Sequence, residues 1–200
     1  MPSLRRLAAR PAPDVLIMPG RFGLGSMGRL QRWVTAVLLA MDSLAFAQPE
    51  SEPQIEAAYL VNFMKYVEWP VTTRMTTTIC LFGRDTLGAS LAAYEGRSVG
   101  GKELVIRRAN SPDDMPHCQL VFIPEVEEAR IGAVLRWVDG LPVLVVSDSD
   151  GFAWMGGGIE LLRSDGRVQF VVNNDALARA GLKPGSQMLR LAQRVIGGER

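Results

Sequence analysis

From residue 53 to the C-terminus the apolar positions alternate between helical spacing and short runs that are apolar at nearly every position. The first segment, 53–68, places Ile55, Ala58, Tyr59, Phe63, Tyr66 and Val67 on one helical stripe with Asn62 as its only polar member. Leu60, Val61 and Met64 add apolar surface on other sides, so the spacing predicts a helix covered on more than one flank. Pro70 ends it, with Trp69 held extended before the proline. Residues 77–82 then read as a strand, 85–94 as a short helix and 104–108 as a strand whose last residues, Arg107 and Arg108, suit an edge or an exposed end. A run at 119–123 is followed by a helix over about 126–138 with the stripe Ile131, Val134, Leu135 and Val138, and then by the apolar run 141–146. Such runs between helices are the pattern of parallel strands buried on both faces.

The pattern changes after Ser147. Residues 159–163 and 167–172 flank Ser164-Asp165-Gly166, and Asp-Gly between two strand-like runs predicts a hairpin. Between strand and hairpin lies 148–158, glycine-rich and loop-like, yet holding Phe152, Trp154 and Met155. Farther on, Asn174 is placed to cap a helix ending at Gly181, and Ser186 a second one with Met188, Leu191, Ala192 and Val195 on one face. The expected fold is a single-domain α/β sandwich: a largely parallel sheet of about six strands with a C-terminal hairpin, flanked by about five helices.

Ahead of this domain, residues 27–47 read as a cleavable secretory signal. Arg29 and Arg32 form the basic start, 34–41 the short apolar centre, and Ala45 and Ala47 the small residues around the cut. The apolar run is far short of the roughly 20 residues of a permanent membrane span. The alternative is a buried or uncleaved helix. Residues 1–26 carry no pattern and Met27 reads as the working start, so 1–26 is expected to be unstructured or not part of the translated protein. Arg5 and Arg6 lie too far from the apolar centre for a twin-arginine signal. The expected organisation is therefore an extension over 1–26, a signal over 27–47 and an α/β domain over 48–200, exported from the cytoplasm.

Export changes the charge and cysteine arguments. The first 47 residues hold six of the 22 basic and two of the 21 acidic residues, leaving 16 against 19 and a formal charge of −3 in the mature part. A weakly acidic chain without a basic run has no electrostatic basis for binding nucleic acid or an anionic membrane. The only two cysteines, Cys80 and Cys118, lie in the mature part, where an oxidising compartment makes a disulfide the default and two buried thiols the alternative. No cysteine stands at the cleavage site, against a lipid anchor.

Candidate chemistry is sparse. His117 is the only histidine and reads as a loop residue, and no spacing resembles a zinc site. The acidic pairs Asp113-Asp114 and Glu127-Glu128 read as a turn and a solvated helix face, and Asp148 with Asp150 as a weak cation candidate. Gly83 to Gly88, Gly-Arg-Asp-Thr-Leu-Gly, stands where an α/β fold places a phosphate loop but lacks the Lys-Ser/Thr of a P-loop and the three glycines of a dinucleotide fingerprint. If the strands are parallel, Arg84 and Asp148 lie at the sheet edge where open α/β folds bind ligands, as candidate polar hooks of a crevice. The alternative is that both simply solvate that edge. Phe152, Trp154 and Met155 either tuck onto the core or form a partner-binding surface, since aromatic anchors are enriched in interface hot spots. Gly156-Gly157-Gly158 permits movement there. No catalytic residue, metal or cofactor is expected, and a hydrolase would lack its Gly-x-Ser-x-Gly elbow.

The helix Ala57-Ala58-Tyr59-Leu60-Val61-Asn62-Phe63-Met64-Lys65-Tyr66-Val67 with its terminal Glu68-Trp69-Pro70 resembles the signature helix of YfiR-like periplasmic proteins. The likeness continues through Ile79-Cys80-Leu81-Phe82-Gly83, His117-Cys118-Gln119-Leu120-Val121-Phe122-Ile123, the strand 142–147, Val168-Gln169-Phe170-Val171-Val172-Asn173 and Leu189-Arg190-Leu191-Ala192, in the family's order. The resemblance implies a periplasmic repressor that binds the periplasmic sensor domain of an inner-membrane diguanylate cyclase and lowers cyclic-di-GMP, exopolysaccharide and biofilm formation. It further implies an outer-membrane lipoprotein as sequestering partner, a homodimer, no membrane insertion, and a cystine between Cys80 and Cys118. Some relatives carry a second pair near 147–162; this chain has none there, so redox sensing through that pair does not carry over. The alternative function is a small-ligand-binding component, using the Arg84 and Asp148 crevice, that reports to a kinase or receptor.

Overall fold

Strands that are buried at nearly every position hold the centre of the fold, and alternate side chains divide between two cores. In a computed structural model, residues 51–70, 74–164 and 167–198 are described. The expected extension, signal and cleavage site, and the Asp165-Gly166 turn, lie outside the described residues. The main sheet has eight strands: β2 (Thr76–Phe82), β3 (Ser98–Val99), β4 (Lys102–Ala109), β5 (Leu120–Ile123), β6 (Leu144–Ser147), β7 (Ile159–Ser164), β8 (Arg167–Asn173) and β10 (Arg194–Ile196), in the order β10-β8-β7-β6-β5-β2-β4-β3. β4, β2, β5, β6 and β7 run parallel to one another, β3 pairs antiparallel with β4, β7 and β8 form the antiparallel hairpin, and β10 pairs parallel to β8. The expected α/β sandwich is therefore present. The two further strands are the short outer ones, β3 and β10, of two and three residues. Segments so short carry too few alternating positions to register as strands.

The two faces follow from the period of two. Ile79, Leu81, Leu120, Phe122, Leu144 and Val146 face a core shared with α1 (Glu52–Tyr66), α2 (Gly88–Leu91), α4 (Asn174–Arg179) and α5 (Ser186–Leu191). Cys80, Phe82, Val121, Ile123 and Val145 face a second core closed by α3 (Ile131–Trp137), Met115 and Phe152. Phe63 meets Phe170 edge-on with centroids 5.1 Å apart, and the Tyr59 hydroxyl donates to the Val168 carbonyl at 3.1 Å, fixing α1 on the hairpin.

Several elements depart from their expected form for local reasons. The buried face of α1 is Glu56, Ala57, Leu60, Val61, Phe63 and Met64, while Tyr66 is exposed, so the expected stripe is rotated toward the side where α5 and β8 cover it. α1 ends at Tyr66 because β1 (Val67–Glu68) leaves the helix to pair antiparallel with β9 (Lys183–Pro184). The segment expected as one helix over 126–138 begins as a 3₁₀ turn, Glu125–Arg130, before α3. Asn173, not Asn174, caps α4, its side-chain oxygen accepting from the Ala176 N–H at 3.0 Å. On α5 only Met188 of the expected stripe is buried; Leu191 and Val195 are exposed because the chain leaves the helix to form β10.

The cystine is present: Cys80 in the middle of β2 is bonded to Cys118, with Cα atoms 5.8 Å apart and both residues buried. Cys118 is held there by the 3₁₀ turn Pro112–His117, whose start is ordered by Asp114. The Asp114 carboxylate accepts from the N–H groups of Asn110 and Ser111 and from the Ser111 hydroxyl at 2.8–3.0 Å. These bonds, the backbone one from Asn110 foremost, hold its pKa below the ordinary carboxylate value. His117 is an exposed residue at the end of this turn.

Candidate functional site

The C-terminal ends of β2, β5 and β6 meet along one sheet edge, and polar side chains fill that edge from within. Asp148, which follows β6, accepts from the Glu125 N–H at 2.6 Å and from Arg163 at 2.5 Å. Arg163 also reaches Glu56 on α1 at 2.6 Å. Asp148 is therefore a structural tie, not a free hook: its side chain is only 4% exposed and its lone pairs are spent on holding loop and hairpin together. Arg84 is exposed, but its loop is closed by Glu127, which accepts from the Arg84 N–H at 3.0 Å. A Cβ at Gly83 would come within 2.5 Å of the Glu127 carboxyl carbon, so only glycine fits beneath it. A carboxylate thus covers the place a phosphate would need, and the two expected crevice residues serve different contacts. Glu127 is correspondingly not a solvated face residue; it pairs with Arg130, whose guanidinium lies 4.3 Å from the Phe82 ring centroid. Asp85 accepts from the Gly88 N–H at 2.6 Å and pairs with Arg108, starting α2 rather than binding a ligand.

The Glu56–Arg163–Asp148 network carries a pH dependence with a definite sign. Burial, partly offset by Arg163, raises Glu56 above its ordinary 4.5. A carboxyl raised on folding contributes stability that is full below its unfolded pKa and is lost as pH rises through the folded one. Arg163→Ala leaves the Glu56 carboxylate buried without its ion-pair partner. The expected loss at pH 7 is about 2–3 kcal/mol, below the usual range for a fully buried pair because the arginine is partly solvated. Lowering the pH toward 5 should restore part of this loss, whereas Glu56→Gln should abolish that recovery; urea titrations at both pH values measure it.

The loop 148–158 is the most conspicuous surface feature. Glu160, buried on β7, accepts from the N–H groups of Gly151 at 2.9 Å and Ala153 at 3.0 Å, and the Asn173 amide donates to the Ala153 carbonyl at 2.8 Å. These anchors fix the loop, one from the strand that follows it and the other from the far strand of the hairpin, and neither was legible in sequence because a side chain's inward reach leaves no local pattern. Phe152 is fully buried and belongs to the second core, so it is not an interface residue. Its ring lies where a Cβ on Gly157 would fall, at 2.1 Å, and a Cβ on Gly158 would stand 2.9 Å from the Val145 carbonyl. At Gly157 and Gly158 the glycine run therefore permits close packing. With Phe152 pinned inward, the loop presents Trp154 (66% exposed) and Met155 (48% exposed) to solvent. Among the described residues no group of His, Cys, Asp and Glu is placed to hold a metal, and no helix is long and apolar enough to cross a membrane.

A family described as YfiR/HmsC-like matches residues 53–193. Among solved structures, a conserved domain protein from Vibrio cholerae O1 biovar El Tor is similar at a TM-score of 0.51 and 11% identity, over 73% of this chain and 60% of that one. A domain from Streptococcus pneumonia described as the ABC domain in complex with L-Trp is similar at a TM-score of 0.49 and 11% identity, over 70% of this chain and 60% of that one. The chain thus spans about 60% of the length of each of these two solved chains. At such identity the first likeness concerns the fold alone.

Proposed function

Because the chain belongs to the YfiR/HmsC-like family, a regulatory rather than catalytic one, we propose that it is a periplasmic negative regulator of an inner-membrane diguanylate cyclase. It binds the cyclase's periplasmic sensor domain and lowers cyclic-di-GMP, and with it exopolysaccharide and biofilm formation. The observation that carries this reading is the family match across 53–193, which spans the sheet up to its edge strand β10, the helices and the Cys80–Cys118 bridge. Export with the signal over 27–47 confines the contact to the periplasm, and an outer-membrane lipoprotein acts as a second, competing partner. The working form is a homodimer.

Trp154 and Met155 supply the docking surface. A large apolar ring held in water by a rigid loop loses little conformational entropy on docking. A repressor that binds one state of the cyclase shifts it by the difference in its two affinities, and each loss of about 1.4 kcal/mol in that difference costs tenfold. Deleting the gene should raise cellular cyclic-di-GMP and surface attachment, and restoring it should reverse both. Unchanged cyclic-di-GMP in the deletion strain would overturn the proposal.

A further inference from the structure

A cavity of about 550 Å³ lies beside β6, between α3 and α4, away from Arg84 and outside the Asp148 network. Its size is that of a small-molecule site. The lining joins an apolar floor, including Val138, Val145, Leu177 and Leu182, to two arginines, Arg136 from α3 and Arg179 from α4. Neither arginine forms an ion pair or hydrogen bond among the described residues. Asp139 is the one acidic residue of the lining, which leaves one net positive charge there. Gly140 and Gly156 also border the cavity in the left-handed region, at φ 72° and 99°, where other residues are disfavoured, so no side chain narrows it at these points.

We propose that this cavity binds an amphipathic monoanion, a carboxylate on an aliphatic or aromatic body, with Arg136 and Arg179 on the carboxylate and the floor around the body. The charge balance selects a monoanion over a dianion: two guanidinium groups match one carboxylate, and Asp139 repels a second. The floor selects an apolar body, since burying it in place of water contributes in proportion to its area. The site does not rest on cyclase repression, because binding is measured on the purified protein alone.

Decanoate is the probe, titrated by calorimetry against decyltrimethylammonium, which has the same tail and the opposite charge. Saturable binding of decanoate alone is expected, weakened about tenfold by Arg136→Gln and by Arg179→Gln, the loss of one charge-assisted hydrogen bond each. Both arginines are exposed, so the unliganded variants should melt as the parent does. With methyl-¹³C methionine, decanoate should move the Met155 signal, which lines the cavity, and leave that of Met75, which does not. Absence of saturable binding, equal binding of the cation, an affinity unmoved by the double variant, or a Met155 signal that stays in place would each overturn the proposal.

Discussion

Replacing Cys80 or Cys118 by serine is expected to cost about 4 kcal/mol and to make melting insensitive to reductant. The bridge closes a loop with a sequence separation of 38, and the chain-entropy relation for a loop of that size yields a value near 4 kcal/mol. For a domain of this length, about 2–4 °C per kcal/mol translates it into a fall of about 10 °C in Tm. Both cysteines are almost fully buried, at 1% and 2% exposure, so the serine hydroxyl adds a desolvation cost of its own. The bridge links the centre of the sheet to the turn ordered by Asp114, and the two losses should therefore be coupled. Acid should lower the stability of the parent by a separate route. Asp114 is lowered on folding by its hydrogen bonds, so what it contributes is present above the ordinary carboxylate range and is lost as pH falls through its folded pKa. A parent protein whose melting curve is the same with and without reductant would contradict the expectation.

How much of this was legible beforehand depends on range. Strand β5, apolar at all four positions, and β6, apolar up to Ser147, declared themselves as doubly buried. The hairpin did so through its turn, and the cystine through the absence of any other cysteine. What stayed hidden was every polar contact made between distant segments. Asp148 stood at the expected sheet edge, but its meaning depended on Arg163, 15 residues away, and through it on Glu56, 107 residues from Arg163. Glu56 lies outside the predicted apolar positions of its helix, yet it is 1% exposed because the arginine of the hairpin meets it. The glycine run is the same lesson in backbone form. A triple glycine reads as freedom, and only the Phe152 ring above Gly157 shows that its missing side chains are occupied space.

Two aromatic substitutions in one loop should therefore separate stability from binding. Phe152→Ala removes a fully buried ring from the second core, for which losses of about 3–5 kcal/mol are usual, and the gap cannot close easily because Glu160 and Asn173 hold the loop on either side. Trp154→Ala, two residues on, removes a ring that is mostly in water, and its stability should stay within about 0.5 kcal/mol of the parent. Its affinity for the cyclase sensor domain should instead fall about thirtyfold, the size of a hot-spot loss near 2 kcal/mol. Paired melting curves and sensor-domain titrations on the two variants decide the matter. The reverse pattern, a Trp154→Ala protein that unfolds early but binds as the parent does, would return Trp154 to a packing role and remove the docking surface. A Phe152→Ala protein is expected to bind less well only in proportion to its unfolded fraction, since the ring itself never reaches the surface.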